Sequence, residues 1–334
     1  MAVSKKKVTL SDVAAVAGVS LSTASKALNG GGRISTATRQ RIEATALRLD
    51  FRPNALAQSL ALGRSRTVAV LTDRAESTFS RPVIIGAATY LGQHEQAVLL
   101  YDARLRRRDD MAESIRALNA RRIDGVLVVG EGLHHRTRSV SAEFSVPVTY
   151  AFTLSDEPDD VMFVPDNRAI GRMAGEHLLA LGRRRIAHVT AEVDDLAAQL
   201  RIEGLREALA EAGVTLAHEV LHGSWTEAWG RTAAQRMLAE NWEIDAVFGG
   251  NDHIARGIEN VFAAAGVRVP QDVALIGVDN WEGLIINQSA RHLTTIDVGL
   301  TGMGEAAAAH LLGGEQTPGV HYQPPTLIVG ETTG

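Results

Sequence analysis

The chain has 334 residues, 45% hydrophobic and 22% charged, with no cysteine, which excludes a disulfide framework, a thiolate nucleophile and any cysteine-bound metal. No apolar run approaches bilayer-spanning length and no signal-peptide-like apolar core follows the N-terminal charges, so a cytoplasmic protein without a membrane partner is expected. The formal charge of −5 divides unevenly: residues 1–66 carry 11 Lys and Arg against 3 Asp and Glu (+8), the rest 23 against 36 (−13), the footprint of a basic nucleic-acid-binding head on an acidic body.

In the head, Thr9 and Asp12 have the spacing of a capping box, and Leu10, Val13, Ala14 and Ala17 recur on one face of a two-turn helix. Gly18 follows where a left-handed cap is wanted. Val19 plugs the corner, and Ser20 can cap a second helix with Ala24, Ala27 and Leu28 inside. Two short helices around a tight glycine turn form a helix-turn-helix unit, whose second helix enters the major groove. Its outer residues Ser22, Thr23, Ser25 and Lys26 are donors for phosphates or base edges.

After the glycine triplet at 30–32, Ser35 can cap a third helix with Ile42, Ala46 and Leu49 inside and Arg39, Arg41 and Arg48 outside. The triplet lacks the preceding strand and the following Gly-Lys-Ser/Thr of a phosphate loop. Pro53 stops the third helix. Asn54 can then cap a helix over residues 55–61, too short to stand alone in water and carrying two leucines, Leu56 and Leu60, that need a partner. We read it as a hinge that folds when two copies meet on DNA.

Residues 8–66 resemble the lactose-repressor/galactose-repressor (LacI/GalR) family of bacterial transcription regulators, through VTLSDVAAVAGVSLSTASKALNG, the Ile34-Ser35 helix start and FRPNALAQSLALGRSRTVAV. That resemblance implies base reading by Leu21, Ser22 and Lys26. It implies phosphate contacts by Thr9, Ser20, Thr23, Ser25, Asn29 and Asn54, and a DNA contact by Arg33. Ala57 and Leu60 fall on the hinge positions that meet DNA, Leu60 as a minor-groove wedge that kinks the duplex.

From Thr67 the rhythm changes. Strands are predicted at 67–72, 97–102, 124–129, 147–152, 186–190, 245–249 and 273–278, with helices at 82–94, 109–121, 167–181, 196–212, 226–241 and 252–265. The alternation argues for parallel sheets covered on both faces, in two doubly wound lobes that hold a ligand in the cleft beyond the strands' carboxyl ends. The resemblance continues through DNRAIGRMAGEHLLALGRRRIAHV, RIEGLREAL, DAVFGGNDHIARG, VALIGVDNWEG and LTTID, and implies a periplasmic-binding-protein-like core crossed three times between lobes. The expected division is a head at 1–52, a hinge at 53–66 and a core at 67–334. Lobe 1 takes about 67–166 plus 298–324, and lobe 2 about 167–297 plus 325–334.

Several strand-end residues carry binding chemistry. Arg201 offers a planar fork for vicinal hydroxyls or a carboxylate, and an aromatic face beside Asp and Asn suits a pyranose. By resemblance Arg201, Trp225, Asn251 and Asp279 fall on effector positions, whereas Asp252 reads as a helix cap. Phe79 and Ser80 occupy the loop where the family often has two aromatics, and Phe152 stands where some sugar-responsive members have an acid. Gly330 replaces a usual arginine, and His134-His135 read as a solvated pair.

No GxSxG or GxGxxG motif appears, and the one HExxH run, His218-Glu219-Val220-Leu221-His222, falls between the predicted helices at 196–212 and 226–241 rather than on a helix that would put both histidines on one face, so neither catalytic residues nor a metal or cofactor is expected. A solute-binding protein would leave the basic head unexplained. The expectation is a repressor that binds double-stranded, pseudopalindromic operator DNA as a homodimer. A small molecule in the cleft, a sugar or sugar derivative, controls it as inducer or corepressor.

Overall fold

The computed structural model describes residues 8–29, 33–52, 64–102, 108–286, 292–313 and 317–334. The arm Lys5-Lys6-Lys7, the glycine triplet, and the hinge residues Asn54, Ala57 and Leu60 with their expected helix lie outside the described residues. Two compact units are present, residues 1–66 and 67–334.

The first unit packs α1 (Leu10–Ala17), α2 (Leu21–Leu28) and α3 (Thr36–Arg48). The capping box closes as the spacing demands: Asp12 N donates to Thr9 Oγ1 (3.3 Å) and Thr9 N to Asp12 Oδ2 (2.9 Å). Gly18 sits at φ 65°, where a side chain would strain the turn. Ser20 and Ser35 cap α2 and α3 by accepting from Thr23 N and Thr38 N. Val13, Ala14, Ala17, Ala24, Ala27, Ile42 and Ala46 form the buried centre, with Val19, Leu28 and Phe51 packed around it. Arg39 departs from the expected outward face. It is half-buried and donates to the Ala27 carbonyl (2.6 Å), neutralising the carboxyl end of α2.

The second unit begins with β1 (Thr67–Thr72), α4 (Ser80–Gln93), β2 (Ala97–Asp102), α5 (Arg108–Asn119), β3 (Gly125–Val129), the two-residue β4 (Arg136–Thr137), β5 (Val148–Ala151), the two-residue β6 (Leu154–Ser155) and β7 (Val161–Pro165). The chain then crosses into α6 (Asn167–Ala180), β8 (Ile186–Thr190), α7 (Leu196–Glu211), β9 (Leu221–His222), α8 (Glu227–Ala239), β10 (Ala246–Gly249), α9 (Asp252–Ala264), β11 (Ala274–Val278) and β12 (Thr294–Asp297). It returns with α10 (Leu300–Gly313) and β13 (Gly319–Gln323), and crosses a last time into β14 (Thr326–Ile328).

The lobe 1 sheet runs β13-β7-β5-β3-β1-β2, all parallel. The lobe 2 sheet runs β14-β12-β11-β10-β8-β9, parallel except for β14. This is the two-lobed α/β architecture expected from the alternation. Residues of β3, β8 and β11 are buried on both faces, which is why they read as unbroken apolar runs. His188 of β8 is the polar exception; burial pushes its pKa down to about 3, and the neutral ring stacks on Phe248 at 4.5 Å.

Three helix pairs flank the sheets, each closed by two glycines set against the partner's backbone: Gly171 of α6 on the Arg201 carbonyl and Gly204 of α7 on that of Arg168; Gly86 of α4 on Thr301 and Gly304 of α10 on Val83; Gly230 of α8 on Ile254 and Gly257 of α9 on Glu227. A Cβ at any of the six would stand inside contact distance of a carbonyl oxygen. The α6–α7 pair sets the position of Arg201, because Gly171 lies under the backbone of that residue. Gly171→Ala should destabilise the core by about 1–3 kcal/mol through overpacking. It should also displace Arg201, so that thermal melting and ligand titration of the same variant both deteriorate; a variant with full ligand affinity would remove this link.

Candidate functional site

At the carboxyl ends of the two sheets, a cavity of about 200 Å³ is lined from both lobes. Its floor is organised around Arg201, which is only 7% exposed. Nε donates to Asn167 Oδ1 (2.9 Å), a terminal N–H donates to the Gly250 carbonyl, and the guanidinium carbon lies 5.3 Å from the Trp225 ring centroid. Asp195 fixes this level of the structure twice. Oδ1 caps α7 by accepting from Ala198 N (3.0 Å), and Oδ2 accepts the Trp225 indole N–H (3.0 Å).

Asp279 follows β11 at φ 104°, and its carboxyl makes no hydrogen bond among the described residues. Burial pushes its pKa up to about 7; the Arg201 guanidinium pulls the other way and Asp297 adds to the push. Burial likewise works against the charge on Arg201, which Asp279, Asp195 and Asp252 sustain. The site therefore presents a cation and an ionisable acid side by side.

The structure brings Phe79, Arg201, Trp225, Asn251 and Asp279 to one cavity and leaves Ser80 out. Ser80 is fully buried and donates to the Gly130 carbonyl (2.7 Å), because one step into α4 turns the side chain from the cleft towards the sheet. The cap assignment also shifts by one residue. Asn251, not Asp252, caps α9, with Oδ1 accepting from Ile254 N (2.8 Å) and Nδ2 donating to the Trp225 carbonyl (3.3 Å). Asn251 thus lines the cleft with both polar ends already engaged. Asp252 is buried inside the first turn, where it accepts from Trp281 N and Thr295 Oγ1, each at 2.7 Å, and so holds the turn that carries Asp279. Burial, then the neighbouring Asp279, raises its pKa.

Sequence reasoning missed Asn167, Asp195, Trp281 and His253. Trp281 stands 6.3 Å from Phe79 across the lobes and 4.3 Å from the His253 ring, whose pKa burial lowers. The signal for Trp281 was present, two residues beyond Asp279. His134 and His135 are exposed as expected, but His134 also borders the cleft.

On the head, Leu21 (54% exposed), Ser22 and Lys26 project from α2, flanked by half-buried Thr23, Ser25 and Asn29. Thr9, Ser20 and Arg33 are exposed. Ser20 and Thr23 share a hydroxyl hydrogen bond (2.8 Å), and Asn29 Nδ2 donates to Ser25 Oγ (3.3 Å), so the polar rim of the helix is held in place before any partner arrives.

A three-helix head with a helix-turn-helix and a two-lobed core with a cleft define a ligand-responsive DNA-binding regulator. Residues 9–54 match the family described as bacterial regulatory proteins, lacI family, and residues 176–333 match a periplasmic binding protein-like domain. The ribose operon repressor of Escherichia coli (strain K12) is 30% identical over 302 residues, 90% of either chain. Among solved structures, the lac repressor dimer bound to operator and the anti-inducer ONPF superposes with a TM-score of 0.73 at 25% identity, covering 98% of this chain and 99% of that one. The transcriptional regulator CelR in its cellobiose complex does so with a TM-score of 0.61 at 27% identity, covering 98% and 100%. The chain belongs to the lacI family of bacterial regulatory proteins and is a DNA-binding transcription regulator. Among the described residues no helix is long and apolar enough to cross a membrane, and no group of three or more potential ligands could hold a metal ion.

Selective carboxyl labelling and NMR titration should find Asp279 half-protonated near pH 7, far above an ordinary aspartate. Arg201→Met removes the one cation that pulls this value down and should move the midpoint higher. A midpoint near 4 in the parent protein would mean that the carboxyl is solvated.

Proposed function

We propose that the protein is a cytoplasmic repressor with no catalytic activity, which binds a pseudopalindromic operator as a homodimer and is switched by a sugar held in the inter-lobe cleft. The observation that carries the reading is the coupling of the cleft to the lobe crossings. Arg201 is hydrogen-bonded to Asn167, next to the first crossing. Asn280, adjacent to Asp279, donates to Asp297 Oδ2 (2.8 Å) at the second. A ligand that bridges Arg201 and Asp279 therefore acts on the segments that set the angle between lobes. It shifts the equilibrium only through its different affinity for the two arrangements.

On the head, Leu21, Ser22 and Lys26 read bases, while Thr9, Ser20, Thr23, Ser25, Asn29 and Arg33 hold the backbone. Asn54, Ala57 and Leu60 join them on resemblance alone. The polar cleft, with a guanidinium fork and a carboxylate beside an indole, suits vicinal hydroxyls. The ribose operon named for one relative and the cellobiose bound by another support a carbohydrate.

Two measurements test the reading. Lys26→Ala should relax preference at one or two operator base pairs, each contact worth about 1–3 kcal/mol, while Ser25→Ala weakens operator and random DNA alike. Equal losses on both DNAs for Lys26→Ala would remove its base-reading role. Asp279→Ala should lower sugar affinity about tenfold to several-hundredfold in calorimetry, since a carboxylate accepts charge-assisted bonds, while apo operator binding persists. A folded variant that keeps its ligand affinity would mean the cleft is not the effector site.

A further inference from the structure

A second cavity, of about 930 Å³, is lined among the described residues by lobe 1 alone. It is a groove between α5 and the segment 130–143, and it shares Glu131, Gly132 and His134 with the inter-lobe cleft. The segment is held by its own hydrogen bonds. Arg136 donates to the Ser155 carbonyl (2.8 Å), Thr137 and Thr153 share a hydroxyl bond (2.7 Å), and Ser139 N donates to Asp156 Oδ1 (2.6 Å). Asn119 Nδ2, at the end of α5, donates to the Glu143 carbonyl (3.1 Å) and ties the two walls together. The groove is thus preorganised, at a volume within the roughly 300–1,000 Å³ of small-molecule pockets.

Three exposed arginines line it, Arg116 from α5 and Arg136 and Arg138 from the other wall. The side chains of Arg116 and Arg138 make no hydrogen bond or ion pair among the described residues, although Glu143 lines the same groove. Lobe 2 treats its arginines differently: Arg168, Arg172, Arg231, Arg236 and Arg268 each pair with a carboxylate. Guanidinium forks left unpaired around one groove match the oxygens of a phosphate, which accepts bidentate bonds from arginine. The groove is also partly apolar, with Met111 and Val140 buried and Ile115 half-buried. At the border with the cleft, Glu131 has one carboxylate oxygen buried without a hydrogen bond, with Arg74 Nε at 3.5 Å. That charge repels an anion from its end of the groove and favours a donor there.

We propose that this groove is a second ligand site, separate from the cleft, for an organic phosphate. Arg116, Arg136 and Arg138 hold the phosphate. Met111, Ile115 and Val140 carry the body of the ligand, and a hydroxyl or amino group turns to Glu131. A sugar phosphate and a nucleotide share this chemistry. Such a site gives the regulator a chemical input that does not use Arg201 or Asp279.

The test is calorimetric titration of the full-length protein at fixed ionic strength. Glucose 6-phosphate is compared with glucose, AMP with adenosine, and both phosphates with inorganic phosphate alone. At least one phosphorylated member should bind about tenfold or more tightly than its parent, because charge-assisted bonds to a phosphate are strong. Which pair shows the preference distinguishes a sugar phosphate from a nucleotide. Arg116→Gln combined with Arg138→Gln should abolish it. Both side chains are exposed and unpaired, so the variant should melt at the parent's temperature, and either single substitution should give part of the loss. Arg201→Met should leave the preference intact. A panel in which no phosphorylated ligand outbinds its parent overturns the proposal. So does a preference that survives the double substitution, as binding to the basic head would, and so does one lost in Arg201→Met, which would put the phosphate in the cleft. Inorganic phosphate binding as tightly as the organic phosphates also overturns it, leaving an adventitious ion only.

Discussion

The structure depends on a buried guanidinium. Taking an arginine out of water costs several kcal/mol unless its donors are satisfied, and Arg201 is satisfied only in part. Asn167 and the Gly250 carbonyl take two of its N–H groups, and the Trp225 ring covers a face. Asp279 lies near enough to compete for its field without forming a hydrogen bond to it. The cleft thus holds a cation and an acid that are desolvated but not hydrogen-bonded to each other. A ligand with adjacent donors and acceptors would complete both at once, and only the part of that gain that differs between the two lobe arrangements is available for switching.

The scaffold around Arg201 explains how such a group is held. Gly171 lets α6 settle on the Arg201 backbone, Gly204 does the reciprocal on α7, and Asp195 ties the start of α7 to Trp225. The same region meets the lobe crossings. Asp166 N donates to the Gln323 carbonyl (3.1 Å), joining the first crossing to the third, and Asp297 Oδ1 accepts from Gly299 N (2.7 Å) within the second. Cleft-lining residues are therefore one or two hydrogen bonds from the segments that cross between the lobes. Such proximity makes a two-state lobe movement a physical route for coupling, since packed interfaces shift between discrete arrangements.

Much of this was legible in the residues. The capping box at Thr9 and Asp12, the left-handed Gly18 and the unbroken apolar runs of the central strands are local codes, and each produced the element it specifies. What escaped was set by tertiary context. Strands β13 and β14 are edge strands with half-exposed faces, so they carry no apolar run, and α10 is so rich in alanine and glycine that its inner stripe does not stand out. Asn251 and Asp252 are both competent caps; only the end of β10 decides between them, and that lies within the ordinary uncertainty of a helix boundary. Ser80 was misread for a related reason. A helical step turns a side chain by about 100°, so the neighbour of a cleft residue faces the core. Arg39 looked solvent-facing by periodicity, yet the exposed carbonyls ending α2 drew it inward.

Some of the strained backbone lies at the cleft. Asp279 and Asn280 at φ 104° and 52°, and Phe152 at 55°, hold side chains in backbone conformations that each cost of order 1–3 kcal/mol. On the lobe 2 side the cost is met by Asp252, buried beneath the turn, which accepts the Trp281 N–H and the Thr295 hydroxyl. Thr295 in turn accepts from Asn280 N (3.1 Å). Gly277 completes the arrangement, since a side chain there would collide with the Asp252 carboxyl. A buried acid whose own pKa is raised is a poor stabiliser of the fold; it earns its place by fixing the direction of its neighbours. Asp252 is in this sense the structural counterpart of Asp279. One carboxyl gives its hydrogen bonds to the turn, and the other, at the end of the next strand of the sheet and adjacent in space, is left facing the cleft.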